Sequence, residues 1–256
     1  MDFDWIFFDC FNTLIDDFDN SGNESGLCSL PALAVEIGLF ESERDFLAAY
    51  FDIRIASLKD GHEVLLADRL TETLRKSRTL GSQDIAPAVT IMMERWSKEY
   101  PAVLGPTPSV HEMLTHWRDR KRLGVVSNFY APGLPAQYLE SFSLRGYFDF
   151  ILDSAAFGFK KPDSRIFHQA LALAGLSPSD GGNVLFIGDR LELDVYPARA
   201  VGMRTLHFNR SRTRQGIEPS PPDLVAIYDW NEFAESKLKS LLPPYTLAAP
   251  KVKRPP

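Results

Sequence analysis

The stretch FFDCFNTLIDD, residues 7–17, decides how the rest of the sequence is interpreted. A short apolar run, 5–8, predicts a buried β-strand, and it stops on a single aspartate, Asp9. Ligands of open α/β sheets bind beyond the carboxyl ends of the strands, so Asp9 is a candidate for chemistry. Taken alone, an aspartate at a strand end also often caps a helix.

Several other segments repeat the pattern of a short apolar run bounded by turns. They are 123–126, 148–152, 184–187, 204–208 and a sixth candidate strand, 224–228. Such runs favour strands covered on both faces, as in a parallel sheet. Helical patterns lie between them, at 109–120 and 163–173. This alternation predicts an α/β protein with a doubly wound parallel sheet.

The region between the first two predicted strands has a different character. Between about 18 and 104 the pattern is helical, with amphipathic segments at 30–39, 42–58, 62–76 and 85–98. We therefore predict a helical module, 18–104, inserted into a core formed by 1–17 and 105–256. Turn-forming residues at 19–26 and 100–108 predict the two hinges. The tail 243–256, rich in proline and lysine, is expected to be poorly ordered.

Composition limits the classes of function. The chain has 256 residues and a net charge of −6, which gives no general attraction to nucleic acid or to acidic membranes. It has no apolar run long enough to cross a bilayer, and its acidic N-terminus does not resemble a signal peptide. Cys10 and Cys28 give no disulfide framework. We expect a cytoplasmic protein that acts on a small molecule; the sequence does not indicate an oligomeric state.

Four groups of polar residues follow predicted strands, at what would be one edge of the sheet. They are Asp9, then Ser127 and Asn128, then Lys160 and Lys161, then Asp189 and Asp194. Each group alone has an ordinary explanation as a helix cap, a turn or a solvated pair. All four together, at one edge of one sheet, predict a reactive site.

The motifs FFDCFNTL, VVSNF, FKKPDSRIF and IGDRLELD resemble, in this order, those of the haloacid dehalogenase superfamily of hydrolases. The resemblance extends from Asp9 to about Met203. The helical insert is similar to the cap domain that one class of this superfamily carries between its first and second motifs. The resemblance implies a Rossmann-like core, covalent catalysis by an aspartate, and Mg²⁺ as cofactor.

The resemblance also assigns roles to individual residues. Asp9 would be the nucleophile that forms the covalent intermediate. Ser127 would donate its hydroxyl, and Asn128 its backbone N–H, to a substrate oxygen. Lys161 would orient Asp9 and neutralise negative charge. Thr13 is a further candidate substrate-binding residue.

The same resemblance implies a metal site made of oxygen ligands. Asp9, the backbone carbonyl of Phe11, and Asp189 with Asp194 in support would hold Mg²⁺. Asp194 has an alternative role, as a carboxylate that supports a ligand or caps a helix. Lys160 is interpreted as a neighbour of Lys161 with no direct role.

Phe11 departs from the family pattern. In the phosphatases and mutases of the superfamily, this position is a second aspartate that protonates the leaving group and then activates water. Phe cannot transfer a proton, and general acid–base catalysis contributes roughly 10²–10⁴-fold. We therefore expect an ordinary alkyl phosphate to be a poor substrate. Phe11 could instead form an apolar wall of the substrate pocket.

Three interpretations remain open. The first is a Mg²⁺-dependent phosphohydrolase or phosphotransferase whose small phosphorylated substrate has a good leaving group, such as an acyl phosphate. The second is a metal-independent enzyme like the 2-haloacid dehalogenases, which have an aromatic residue at the position of Phe11 and use a cap arginine for the substrate carboxylate. The third is a non-catalytic binding protein. The pair Gly188 and Asp189, which dehalogenases lack, favours the first.

Substrate choice in this family depends largely on the cap. Arg54 is the candidate carboxylate ligand, and further candidate cap contacts are Arg44, Arg69 and Tyr50. The sequence does not indicate which of them face the site.

Overall fold

The computed structural model of the chain describes residues 3–17, 26–56, 60–77, 81–212, 214 and 217–233. The predicted tail 243–256 and all but the last residue of the predicted hinge 19–26 lie outside these residues.

The described residues form eight strands, and all but β2 and β3 belong to one parallel sheet. In chain order they are β1 (Trp5–Phe8), β2 (Ile15–Asp16), β3 (Gly105–Pro106), β4 (Arg122–Ser127), β5 (Phe150–Asp153), β6 (Val184–Gly188), β7 (Arg204–Phe208) and β8 (Ala226–Ile227). All six predicted strands are present. The predicted start at 148 is two residues early, because Phe148 closes a 3₁₀ turn by donating its N–H to Arg145.

The order of strands in the sheet is β5-β4-β1-β6-β7-β8, which confirms the doubly wound α/β fold. Strand β1 is central, and Phe8 is in register with Val125 of β4 and Ile187 of β6. The chain builds one half of the sheet outward from β1 and then returns to β6 on its other side. Asp9 and Asp189 follow the two strands on either side of this switch point, where ligands of such sheets bind.

Both faces of β1 are buried, which explains its uninterrupted apolar sequence. Ile6 and Phe8 pack into the core on one face, and Trp5 and Phe7 pack into a second cluster on the other. Successive strand residues point to opposite faces, so each must be apolar when helices cover both.

Helices cover the two faces of the sheet and form the inserted module. In chain order they are α1 (Leu30–Glu36), α2 (Glu43–Ala56), α3 (Leu66–Leu74), α4 (Ile85–Glu99), α5 (Val110–Arg118), α6 (Leu134–Ser141), α7 (Ser154–Phe157), α8 (Ser164–Leu173) and α9 (Tyr196–Ala200). None of the helices in the described part of the chain is both long and apolar enough to span a membrane.

Helices α1 to α4 form the inserted module, which we call the cap. They pack side by side, and Leu33, Phe46, Leu70 and Trp96 lie in their shared apolar interior. The predicted helix 62–76 is wrong over its first turn, because α3 begins only at Leu66. Residues before it are extended and hydrogen-bond to a loop of the core: Glu63 N–H donates to the Gly158 carbonyl, and Lys160 N–H to the Gly61 carbonyl.

A small antiparallel ladder of β2 and β3 lies where the chain passes from core to cap and back. Ile15 pairs with Pro106, and Thr107 N–H donates to the Leu14 carbonyl at 3.0 Å. The sequence did not predict this ladder, since strands of two residues carry no readable periodicity. The exact limits of the two domains and the role of 100–108 as a hinge stay predictions.

Candidate active site

Asp9 lies at the carboxyl end of β1 with its carboxylate held from two sides. Thr13 Oγ1 donates to Asp9 Oδ2 at 3.1 Å, and Lys161 Nζ donates to Asp9 Oδ1 at 2.6 Å. A tight turn, in which Leu14 N–H donates to the Cys10 carbonyl, brings Thr13 back to the aspartate. Burial raises the pKa of Asp9 to about 6, against the opposing attraction of Lys161.

Lys161 joins two carboxylates. Its ammonium lies 2.6 Å from an oxygen of Asp9 and 2.6 Å from an oxygen of Asp194. Burial alone would lower the pKa of Lys161, but attraction by Asp194 and Asp9 raises it above its ordinary value. The side chain is therefore a fixed positive charge next to the predicted nucleophile.

Asn128 makes side-chain contacts that the sequence did not predict. Its side-chain amide donates to the Lys161 carbonyl at 2.8 Å and accepts from the Lys161 N–H at 2.7 Å. This two-point contact fixes the backbone of Lys161. The donation of the Asn128 backbone N–H to substrate stays a prediction.

Ser127 ends β4, beside Cys10, and is fully buried. Its hydroxyl makes no hydrogen bond to the described residues, although its proximity to the Cys10 thiol opposes the rise that burial causes in the pKa of that thiol. Neither Ser127 nor Thr13 is among the described residues that line the central cavity. The predicted donation of the Ser127 hydroxyl to substrate stays a prediction.

Asp9, Asp189 and Asp194 converge, as the sequence predicts. One carboxylate oxygen of each lies within 4.8 Å of those of the other two. Burial, followed by repulsion from Asp9 and Asp194, raises the pKa of Asp189 well above its ordinary value. A cluster of hard oxygen donors that repel one another fits a divalent cation such as Mg²⁺.

Gly188 makes this convergence possible. A Cβ added at Gly188 would lie 2.4 Å from the Asp194 carboxyl carbon, so any side chain there would displace Asp194. Asp194 stands in a single π-helical turn, Leu191–Val195, after β6. Its Oδ1 accepts from Lys161, and its Oδ2 accepts from the Arg190 N–H at 3.0 Å. These contacts suit a carboxylate that positions Lys161; direct coordination by Asp194 stays a prediction.

Phe11 is part of an aromatic wall. Its ring stacks on Phe129 with centroids 4.5 Å apart, and Phe129 stacks on Tyr130 at 4.7 Å. Phe11, Phe129, Tyr130 and Tyr100 all line the central cavity. The position that would carry an acid thus presents an apolar face to the site.

The central cavity has a volume of about 730 Å³ and extends from the sheet edge to the cap. The metal-binding candidates Asp9, Asp189 and Asp194 line it, together with Lys161. Arg54, Arg69 and Tyr50 line it from the cap, whereas Arg44 is exposed and is not among the described lining residues.

Glu63, which also lines the cavity, makes contacts that the sequence did not predict. The Glu63 carboxylate accepts from Arg69 Nη2 at 2.6 Å and from Ser154 Oγ at 2.7 Å, and the Lys160 ammonium lies 3.8 Å from it. Elsewhere on the wall, Tyr100 donates its hydroxyl to Asp17 at 3.0 Å. No motif marks these contacts, because Ser154, Lys160 and Tyr100 lie more than 80 positions from their partners and Glu63 precedes the helix that carries Arg69.

A family model of haloacid dehalogenase-like hydrolases matches residues 3–202. The chain belongs to this family. This confirms the predicted resemblance to a family of hydrolases.

Known relatives include phosphatases. Over 177 residues the chain is 36% identical to haloacid dehalogenase-like hydrolase domain-containing protein 3 of Bos taurus, covering 69% of this chain and 65% of that protein. Over 117 residues it is 33% identical to the pyrimidine 5'-nucleotidase YjjG of Escherichia coli, covering 45% of this chain and 51% of that protein. The chain thus spans less than two thirds of the length of these relatives.

The fold is also that of a solved 2-haloacid dehalogenase from Pseudomonas syringae. The TM-score is 0.66 with 21% identity, and the match covers 90% of this chain and 96% of that one. At this level of identity the similarity concerns the fold alone.

Proposed function

We propose that this hydrolase is a Mg²⁺-dependent phosphohydrolase or phosphotransferase that uses Asp9 as its nucleophile and acts on a small phosphorylated metabolite with a good leaving group. The observation that carries the proposal is the convergence of Asp9, Asp189 and Asp194 within 4.8 Å. These carboxylates outnumber the cations beside them, Lys161 and the exposed Arg190. A divalent cation would balance this excess of negative charge.

Asp9, the Phe11 carbonyl, Asp189 and, as direct ligand or support, Asp194 would hold the metal. When bound, Mg²⁺ would neutralise the phosphoryl oxygens and polarise the phosphorus centre. Lys161, fixed by Asn128 and Asp194, would hold the Asp9 carboxylate in place for attack.

In the first step, an Asp9 oxygen forms a bond to phosphorus and the bond from phosphorus to the leaving oxygen breaks. The leaving group takes the electron pair of that bond. Phe11 offers it no proton, so departure is fast only when the free group is a weak base, such as a carboxylate. The oxygen of water, or of an acceptor hydroxyl in a transferase, then bonds to phosphorus, and the bond from phosphorus to Asp9 breaks with its electron pair returning to the carboxylate. The proton of the attacking group passes to the phosphate product or to solvent, because Phe11 cannot accept it.

The aromatic wall supports the same assignment. Phe11 packs on Phe129 in place of an acid, and its ring borders the cavity in which the leaving group would lie. Asp17 also borders the cavity, but it accepts a hydrogen bond from Tyr100. We therefore propose that none of the described residues protonates the leaving group.

A second candidate function is a metal-independent 2-haloacid dehalogenase. The aromatic residue Phe11 and the cavity-lining Arg54 favour it. The acidic cluster opposes it, since attack on carbon with loss of halide needs no divalent metal. A non-catalytic role receives no support from a chain that belongs to a hydrolase family and retains Asp9, Lys161 and Asp189.

The test is product release by the purified protein on two substrate panels, with and without EDTA. One panel runs from alkyl phosphates through p-nitrophenyl phosphate to acetyl phosphate; the other contains 2-haloacids. We expect phosphate release that needs Mg²⁺, is lost in Asp9→Asn, and rises steeply as the leaving group improves. Halide release that is insensitive to EDTA would overturn the proposal.

A further inference from the structure

We propose that His207 is a positioning residue of the metal site, which fixes the backbone of Asp189 through a chain of hydrogen bonds that begins in the loop after β7. The inference rests on the proposed function, in which Asp189 is a ligand of Mg²⁺. It concerns a residue outside the four sequence motifs, since β7 follows the last of them.

Asp189 differs from the other two carboxylates of the acidic cluster. The Asp9 and Asp194 carboxylates are both held by hydrogen bonds, including one to each of them from Lys161. Among the described residues, none donates a hydrogen bond to the Asp189 carboxylate. The direction of this carboxylate is therefore set by the backbone that carries it.

His207 contacts that backbone directly. It is in register with Gly188 of the neighbouring strand, so its ring lies beside the end of β6. The ring atom Nε2 lies 2.9 Å from the carbonyl oxygen of Asp189. A carbonyl oxygen only accepts, so this hydrogen bond requires a proton on Nε2. His207 is 3% exposed, so water competes little for the contact.

The other ring nitrogen of His207 is held as well. Its Nδ1 lies 2.8 Å from Ser220 Oγ, and burial lowers the pKa of His207, which favours a neutral ring. In a neutral ring with its proton on Nε2, Nδ1 accepts, so the Ser220 hydroxyl donates. The Ser220 oxygen in turn accepts from Asn209 Nδ2 at 3.0 Å. The hydrogen bonds thus run in one direction, from Asn209 through Ser220 and His207 to Asp189.

The start of this chain is fixed. Asn209 is fully buried, its Nδ2 also donates to the Glu218 carbonyl at 3.0 Å, and its Oδ1 accepts from the Ser211 N–H at 2.8 Å. A hydrogen bond to one nitrogen of an imidazole decides which nitrogen carries the proton. The chain therefore selects the form of His207 that can donate to Asp189.

The contact opposes a force that acts on Asp189. The two other carboxylates of the cluster repel it, and this repulsion contributes to the raised pKa of Asp189. An anchored backbone would keep the carboxylate in place for the metal against that repulsion. Residues that support metal ligands in this way contribute roughly 10–100-fold to metal affinity.

The test compares His207→Gln with His207→Asn in the full-length protein. The longer amide of Gln places an N–H donor near the site of Nε2, whereas the amide of Asn reaches only the site of Nδ1. Both changes remove the ring, so their difference measures the contact with Asp189. In calorimetric titration with Mg²⁺, we expect the Kd of His207→Asn to be about tenfold higher than that of His207→Gln.

His168→Gln, at an exposed histidine of α8, is the matched control and should keep the wild-type affinity for Mg²⁺. Equal Kd values for His207→Gln and His207→Asn would overturn the inference, whether both are unchanged or both are raised. A residue that only packs in the core would lose as much with one amide as with the other. The proposed function would stand, because the wild-type protein would still bind Mg²⁺.

Hydrogen exchange of the metal-free protein tests the inference independently of Mg²⁺. The backbone amides of 188–193 should exchange faster in His207→Asn than in His207→Gln or the wild-type protein. Equal exchange in all three would overturn the inference. Absence of Mg²⁺ binding by the wild-type protein would count against the proposed function, and hydrogen exchange would still decide whether His207 fixes Asp189.

A variant outside β7 keeps the inference falsifiable if the changes at His207 prevent folding. Ser220→Ala leaves the ring in place and removes the donor to Nδ1. In ¹⁵N spectra at neutral pH, wild-type His207 should carry its proton on Nε2, and Ser220→Ala should show both tautomers and weaker Mg²⁺ binding. A wild-type ring protonated on Nδ1 alone, or a Ser220→Ala protein with wild-type tautomer and affinity, would overturn the inference.

Discussion

The two ends of the cavity are built by different means. At the acidic end, Asp9, Asp189 and Asp194 follow adjacent strands of one sheet, so the sheet itself brings them within 4.8 Å. At the basic end, Glu63 and Arg69 come from the cap and Lys160 from a loop of the core. The difference teaches that strand ends position the acidic cluster, whereas the contacts of Glu63 depend on how the cap segment before α3 packs on a core loop.

The largest effect is expected from Lys161, which belongs to the acidic end. Lys161→Gln removes the cation between Asp9 and Asp194, and we expect kcat to fall about 10²–10³-fold, as when one oxyanion donor is lost. It should also lower the free energy of unfolding at pH 8 by about 3–5 kcal/mol, because two buried carboxylates lose their partner. Steady-state kinetics and urea unfolding measure both effects.

Lys160→Gln is the matched variant for that comparison. It should change turnover by less than about tenfold, because the Lys160 ammonium pairs with Glu63 rather than with the acidic cluster. Equal losses for the two lysines would contradict the assignment of the chemistry to the acidic end.

The next largest effect concerns Gly188. Gly188→Ala places a methyl group 2.4 Å from the Asp194 carboxyl carbon, so Asp194 must move and release Lys161. We expect metal affinity and activity to fall about 10–100-fold, as when residues supporting a metal site are lost. Mg²⁺ titration calorimetry measures the first of these. Gly146→Ala, where an added Cβ meets no atom within 4 Å, is the control. Normal Mg²⁺ affinity in Gly188→Ala would show that Asp194 is not needed for the metal site.

Phe11→Asp tests whether the leaving group lacks a proton donor. The new carboxyl group would provide a proton donor where the aromatic wall now stands, at the expense of the stack on Phe129. We expect turnover of alkyl phosphates to rise about tenfold, toward the lower limit for general acid catalysis, while acetyl phosphate gains nothing. Phe11→Asn controls for the loss of the ring.

If neither variant gains activity on alkyl phosphates, the proton comes from elsewhere, and Asp17→Asn tests Asp17 as the donor. A large loss of activity on alkyl phosphates in Asp17→Asn would contradict the proposal that none of the described residues protonates the leaving group.

The last expected effect concerns stability rather than turnover, and it is the pH dependence of stabilisation by Mg²⁺. Because burial raises the pKa of folded Asp9 to about 6, the proton it binds stabilises the metal-free fold below the ordinary carboxyl pKa, and this contribution is lost as pH rises through about 6. Mg²⁺ would bind the deprotonated cluster, so we expect its stabilising effect to grow between pH 5 and 7. At about 100 times the Kd the gain is roughly 2.7 kcal/mol, a melting-temperature rise of several degrees.

Thermal unfolding with Mg²⁺ or EDTA at each pH measures this difference. Asp189→Asn should remove it, and Asp4→Asn, an exposed carboxylate, should keep it. A Mg²⁺ effect that stays constant from pH 5 to 7 would contradict binding at the buried cluster.

Much of the acidic end could be predicted from sequence. Short apolar runs predict β1, β4 and β6, and their parallel order places the residues after them at one edge. The turn that returns Thr13 to Asp9 is local, and the contact of Lys161 with Asp9 follows from the motifs. Sequence reasoning missed the side-chain contacts of Asn128, because they are made to the backbone of Lys161 and backbone partners leave no trace in a motif.

The contacts of Glu63 could not be predicted, for physical reasons, although Arg54 and Arg69 were candidate cap residues. Glu63 lies in a segment whose helical pattern is overridden by hydrogen bonds to the core loop at Gly158. Ser154 and Lys160, which contact Glu63, are about 90 or more positions away in the sequence. Arg69 and Arg54 have the spacing of ordinary charged residues on amphipathic helices. Only the structure, in which both line the cavity, distinguishes them from solvated arginines.

The most direct test of the central claim is to look for the covalent intermediate on Asp9. The enzyme is mixed with Mg²⁺ and acetyl phosphate, quenched in acid, digested, and examined by mass spectrometry. We predict a phosphoryl group on the peptide that contains Asp9, absent with EDTA and absent in Asp9→Asn. Rapid release of phosphate with no phosphorylated peptide, or with the phosphoryl group on another residue, would contradict the assignment of Asp9 as the nucleophile.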